Sequence, residues 1–264
     1  MKLRTLLAAL AILTLTAGAA YAAAKFTVTA SEFDPARTFL VQAQWLDGIG
    51  CPTNAGVSAN GSTITSHFTD TACVTGDTSD NRNQGLLLVK TGPTANYASA
   101  GADITGVKGM MLTELGYDIR KPDVSAGSRG SHCGAGAPRF NITMQDGNTY
   151  FIGCNSPPAV QALGQGWLRL RWGIGGTLIA YGQNTGVATI ISGLKVQSLE
   201  IVFDEGQDAS GGPDMFGLAV LDNIDVNGTL VGQGDNAGNE KDKNKDKDKD
   251  KDHGDNDDDQ GEDD

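Results

Sequence analysis

Histidine, aromatic residues, positive charge and long apolar runs are all scarce in this chain, and each shortage removes a class of function. Of its three histidines, only His67 and His132 lie outside the C-terminal tail. The segment Ala126-Gly-Ser-Arg-Gly130 is not a Gly-x-Ser-x-Gly nucleophile elbow. Adjacent Ser131 and His132 do not make a triad, because sequence neighbours rarely meet in the required geometry. The 20 Lys and Arg are outnumbered by 32 Asp and Glu, for a net charge of −12, and they form no basic stripe. Binding a phosphate backbone needs such a stripe, so nucleic acid is not an expected partner. Past the leader no apolar stretch reaches the roughly 20 residues of a membrane span, and membrane insertion is not expected. Cys51, Cys73, Cys133 and Cys154 show no Cys-x-x-Cys spacing, so zinc-ribbon and thioredoxin-like readings lack their motif.

What is present begins with a targeting signal. Lys2 and Arg4 precede an apolar stretch from Leu6 to Leu15 and a small-x-small site at Ala20-Tyr21-Ala22, the three parts of an export signal. Residues 1–22 are therefore expected to be a signal peptide and the mature protein to be secreted, extracellular or periplasmic. An oxidising compartment makes disulfides of the four cysteines. Three pairings are possible. The favoured one joins Cys51 to Cys73 and Cys133 to Cys154, each closing a short loop worth about 3 kcal/mol on the chain-entropy model.

Composition changes again at residue 235. Lys and Asp alternate almost strictly from Lys241 to Asp252, and acidic runs close the chain. No core can form from such a segment, so residues 235–264 read as a disordered Lys/Asp-rich tail serving solubility, spacing or loose electrostatic contact. Asp242, Asn244 and Asp246 imitate the alternation of an EF-hand, but Lys247 stands where its glycine belongs and no closing Glu follows.

Residues 23–234 remain, enough for one large β-domain. Short alternating runs separated by Gly, Asn, Asp and Pro, without helical periodicity, predict an all-β fold, a two-sheet antiparallel β-sandwich. Strands are expected over 26–29, 38–45, 86–90, 116–120, 140–145, 149–154, 167–172, 177–181, 188–191 and 194–203, with a broken one over 216–231. Asp146-Gly147 predicts a hairpin with a type I′ turn, both central residues at positive φ.

Two strands carry the residues suited to chemistry. In Trp167-Leu-Arg-Leu-Arg-Trp172 alternation puts Leu168, Leu170 and Trp172 on a core face and Trp167, Arg169 and Arg171 on the other. That second face is a candidate ligand platform, an aromatic ring for stacking beside two guanidinium forks. Paired arginines on an ordinary exposed sheet are the plainer reading. In the strand ending at Asp204, Leu199, Ile201 and Phe203 point one way and Glu200, Val202 and Asp204 the other, which makes the carboxylates candidate partners for those arginines. Glu200, Asp204 and Glu205 also form the one close carboxylate set of the body, and glycoside hydrolysis needs two carboxyls about 5 to 10 Å apart. Glu205 falls on the opposite face from Asp204, which departs from the Glu-x-Asp-x-Glu pattern of laminarinase-like sandwiches.

The closing segment Leu221-Asp-Asn-Ile-Asp-Val226 and the phrase Leu115-Gly-Tyr-Asp-Ile-Arg120 resemble the last and an internal strand of jelly-roll β-sandwich modules, the galactose-binding and laminin-G-like carbohydrate-binding domains of secreted proteins. The resemblance implies a jelly roll, and it implies a structural calcium held by Asp222 with Glu32 and Asp34 as partners. Without it, Asp222 reads as a bulge residue satisfying backbone donors. The expectation is an exported non-catalytic module binding extracellular polysaccharide through Trp167, Arg169 and Arg171. A structural or matrix protein is the second reading and a polysaccharide-active hydrolase the third.

Overall fold

A computed structural model describes residues 26–51, 56–57, 64–65, 76–91, 97–121, 137–153, 156–164, 166–204 and 216–234. Along them run β1 (Thr27–Phe33), β2 (Val41–Leu46), the two-residue β3 (Gly56–Val57) and β4 (Ile64–Thr65), β5 (Gly85–Thr91), β6 (Ser99–Thr105), β7 (Leu115–Arg120) and β8 (Arg139–Met144). There follow β9 (Thr149–Gly153), β10 (Ala159–Gly164), β11 (Trp167–Trp172), β12 (Ile179–Gly182), β13 (Ala188–Ile190), β14 (Val196–Phe203), β15 (Phe216–Val226) and β16 (Thr229–Val231). No helix occurs among the described residues.

The protein is an all-β, two-sheet antiparallel sandwich. The first sheet has the order β1-β6-β14-β8-β9-β12-β13, and the second β10-β11-β7-β15-β5-β2, with β16 paired to β15. Strands β3 and β4 pair with each other alone. The chain passes from one sheet to the other between β1 and β2, β5 and β6, β6 and β7, β7 and β8, β9 and β10, β11 and β12, and β14 and β15.

Period-2 patterning decides which face of each strand is buried. In β8, Phe140, Ile142 and Met144 are buried while Arg139, Asn141 and Thr143 are half-exposed. In β14, Leu199, Ile201 and Phe203 face in. Opposing them from the second sheet are Leu86 and Leu88 of β5 and Leu115, Tyr117 and Ile119 of β7. Full burial of such a side chain stabilises by about 1.5–3 kcal/mol. At the centre, Tyr117 meets Phe140 at 5.5 Å and Trp172 at 5.3 Å between ring centroids, tilted and edge-on contacts favoured by the ring quadrupoles. The Tyr117 hydroxyl donates to the Pro138 carbonyl at 2.8 Å, which removes the cost of burying it.

Two expectations need correction. The hairpin between β8 and β9 forms, but Gly147 alone has positive φ, at 86°. Its N–H donates to the Met144 carbonyl at 3.0 Å, and Met144 N–H to the Asn148 carbonyl at 2.9 Å. This is a three-residue loop closed by a glycine bulge, held by Asp146 accepting from Asn148 N–H at 2.9 Å. Strands β6 and β10 were not expected at all. The run Ser99-Ala-Gly-Ala-Asp-Ile-Thr105 lacks the β-branched and aromatic enrichment of a strand, and forms one because β1 and β14 pair with it on both sides.

Candidate functional site

The candidate ligand platform is a buried interface. Trp167, Arg169 and Arg171 do share the face of β11 turned away from the sandwich core, as alternation requires. That face is covered: Trp167 is 1% exposed and packs with Cys51, Leu163 and Val220. Arg171 is buried as well. The arginines are engaged, though not by the expected carboxylates. Arg169 grips Asp118 of the neighbouring β7 bidentately, Nε to Oδ1 and Nη2 to Oδ2 at 2.8 Å each. Arg171 reaches Asp225 Oδ2 through Nε at 3.0 Å and Asp118 Oδ1 through Nη2 at 3.4 Å. Gly116 makes room for this, since a Cβ there would run into Arg171 Cδ and the Leu170 carbonyl.

The cover is tied down at a bulge in β15. Register against β7 shifts between Asp222 and Asp225, and Asn223 adopts φ 46°, a conformation Asn tolerates better than most residues. The bulge turns both side chains toward segments 47–51 and 76–84. Asp222 accepts from Cys51 N–H at 2.7 Å and from Asn223 N–H at 2.5 Å. Asn223 accepts from Asp77 N–H at 2.8 Å and donates to Asp118 at 2.9 Å. Asp77 in turn accepts from Gly232 N–H at 3.0 Å, and Asp47 takes Arg82 Nε at 2.9 Å and Gln84 Nε2 at 2.8 Å. Burial pushes the Asp222 carboxyl well above its usual range, and the nearby Asp118 and Asp80 act in the same direction. Asp80, likewise desolvated and near Asp77 and Asp47, is raised to about 6.

The proposed calcium set does not assemble. Both Asp222 oxygens are turned to backbone N–H donors. Asp34 caps its own loop by accepting from Thr38 and Phe39 N–H at 2.9 and 2.7 Å, and Glu32 accepts from Ala43 N–H at 2.9 Å. Among the described residues no group of three or more His, Cys, Asp or Glu side chains is placed to hold a metal. Asp222 is the bulge residue that satisfies backbone donors. Cys51 is disulfide-bonded. Its expected partner Cys73, the expected pair Cys133 and Cys154, both body histidines, the leader and the acidic tail lie outside the described residues.

An open site exists on the other sheet. A cleft of about 690 Å³ is lined by Phe33, Lys90, Tyr97, Ala98, Ser99, Arg139, Asn141, Glu200, Val202 and Asp204, a volume within the roughly 300–1,000 Å³ of small-ligand sites. It lies along the outer face of the first sheet where β14 ends, and Lys90 of β5 reaches it from the second sheet. The alternation that buries Leu199, Ile201 and Phe203 presents Glu200, Val202 and Asp204 to it. Arg139 and Asn141 come from β8, where Val202 pairs with Arg139 and Glu200 with Asn141. Phe33 of β1, opposite Ser99 of β6, is 60% exposed, and Tyr97, just before β6, is 80% exposed. Tyr97 has φ 54°, a left-handed backbone uncommon for an aromatic residue and costing on the order of 1 kcal/mol. Such strain concentrates at sites where a side chain must be aimed.

The cleft's polar groups are held in place. Arg139 clamps Asp204 with Nη1 to Oδ1 at 2.7 Å and Nη2 to Oδ2 at 2.8 Å, and its guanidinium lies 5.6 Å from the centroid of the Phe151 ring. Burial opposes ionisation of Asp204, but this clamp holds its carboxyl below the ordinary range. Asn141 donates to Glu200 Oε1 at 2.8 Å. Its own Oδ1 is the one buried side-chain polar atom among the described residues without a hydrogen-bond partner. Sequence reasoning found Glu200 and Asp204 but not Phe33, Tyr97 or Lys90. The signal for Lys90 was available, because alternation puts it in phase with the core residues Leu86 and Leu88. Comparison of the chain with family models, with curated proteins and with solved structures finds no match.

Proposed function

We propose that this protein is an exported, non-catalytic binding module for extracellular polysaccharide, and that the sugar chain lies in the cleft on the outer face of the first sheet. The observation that carries the reading is the pairing of two exposed aromatic rings, Phe33 and Tyr97, with a fixed polar floor of Arg139, Asn141, Glu200 and Asp204. Pyranose rings stack on aromatic faces while their hydroxyls take planar, pre-oriented donors and acceptors. The leader and the disulfide at Cys51 suit an oxidising compartment outside the cytoplasm, and the repeated crossing of the chain between sheets supports the jelly-roll reading.

Catalysis is not part of this reading. Glycoside hydrolysis needs a carboxyl that keeps its proton near neutral pH, and Asp204, locked to Arg139 and held ionised, does not supply that acid. Affinity electrophoresis of the full chain through neutral and acidic polysaccharide gels tests the function. Retardation by at least one polymer is expected, weakened about tenfold by Tyr97→Ala, the loss of one stacking contact of about 1.5 kcal/mol. Migration unaffected by every polymer would overturn the proposal.

A further inference from the structure

Lys90 is the group in this cleft that the hydroxyl-binding account does not use. Its side chain is 1% exposed, in phase with Leu86 and Leu88 on the inward face of β5, yet it lines the cleft. Among the described residues its ammonium makes no hydrogen bond and no ion pair within 4 Å, and since Asn141 Oδ1 is the one fully enclosed side-chain polar atom without a partner, the Nζ keeps its small exposure toward the cleft. Burying an ammonium without a partner is costly, and desolvation lowers its proton affinity, with Asp204 acting in the opposite sense. Asp204 is its nearest source of negative charge, but both Asp204 oxygens are already taken by Arg139. Lys90 therefore shares the Asp204 charge with Arg139 and is left without a hydrogen-bond acceptor of its own. Glu200, four residues back along β14, stands about 13 Å from Asp204 at the usual strand rise.

We propose that Lys90 is the receptor for an acid group on the ligand, so that the cleft selects polysaccharides bearing a carboxylate or sulfate over neutral ones. This deepens the polysaccharide reading and rests on it. A ligand anion supplies the partner the fold withholds, in a partly dehydrated site where a charge-assisted hydrogen bond is strongest. Lysine suits the role because a compact point charge accepts a single acid oxygen without the fork geometry that arginine demands. Phe33 and Tyr97 would hold the sugar ring while Lys90 takes the acid group. The protein's net charge of −12 repels polyanions as a whole, so a preference for acidic sugars has to come from a local site.

Isothermal titration of the full chain with trigalacturonate, a sulfated dextran fragment and maltotriose tests the proposal. At low salt an acidic sugar is expected to bind about tenfold or more tightly than maltotriose, with the carboxylated and sulfated arms deciding which acid group is preferred. Lys90→Met should abolish that preference and leave the fold intact by circular dichroism, because a methionine fills the same space without a buried charge. Equal affinity for acidic and neutral sugars, or a preference that survives Lys90→Met, would overturn the inference while leaving the polysaccharide reading standing. Binding of none of the three would overturn both.

Discussion

Trp167 separates the covered face from the open one. It is 1% exposed and wedged between Cys51, Leu163 and Val220. An indole of this kind buries about 200 Å², which at about 25 cal/mol/Å² is about 5 kcal/mol of transfer free energy. Relaxation of the cover recovers part of that, and measured Trp→Ala costs in cores run at about 3–5 kcal/mol. Trp167→Ala is therefore expected to lower unfolding free energy by about 3–5 kcal/mol in a urea titration. Tyr97→Ala, removing a ring that is 80% exposed, should change it by less than about 0.5 kcal/mol. Intrinsic fluorescence and far-UV circular dichroism monitored together would check that both variants unfold in one transition. A Trp167→Ala protein as stable as the parent would refute the argument, because it would mean the indole faces water and the expected platform exists after all.

Other expectations follow from the polar groups beneath the cover. Asp80, raised from 3.8 to about 6, favours the folded state most when protonated, so its contribution is complete below about pH 4 and is lost as pH rises through 6. The full linkage is about 3 kcal/mol, or about 1–2 kcal/mol once screening of a half-buried group is allowed for. The urea midpoint should thus fall between pH 5 and pH 7.5, and Asp80→Asn should flatten that slope; a midpoint that climbs over the same interval would count against the assignment. Gly116→Ala should displace Arg171 from Asp118 and Asp225 and cost about 3 kcal/mol or more, as breaking a buried pair does, and a neutral result in thermal unfolding would contradict the packing described. Mass mapping of unreduced peptides is expected to find Cys51 joined to Cys73 and Cys133 to Cys154; any other partner for Cys51 would overturn the pairing.

The strands whose side chains alternate cleanly were legible in the sequence, and those held by their neighbours were not. Arg139 to Met144 and Leu199 to Asp204 declare their two faces, and the structure keeps them. The same alternation sorted β11 correctly, yet it does not tell a face open to water from one covered by a distant segment. The cover comes from residues 47–51 and 76–84, anchored through Asp222 and Asn223 on β15, and such long-range closure leaves no local period. The partners of Arg169 and Arg171 were misjudged for a related reason. Asp118 sits on the adjacent strand, whereas Glu200 and Asp204 belong to the other sheet. The cleft was half legible, since its carboxylates stand in a readable strand while Phe33, Ser99, Tyr97 and Lys90 reach it from three separate stretches of chain. Of these, Lys90 alone leaves a mark in the sequence, as a lysine in phase with leucines.

The most direct test of the account is where a bound sugar acts on the protein. Backbone amide shifts in an NMR titration with trigalacturonate and maltotriose should change at Phe33, Tyr97 to Ser99, Arg139 to Asn141 and Glu200 to Asp204, and remain still along β11. Shifts confined to Trp167, Arg169 and Arg171, or to the separate groove around Asn148 and Asn184, would contradict the placement of the site.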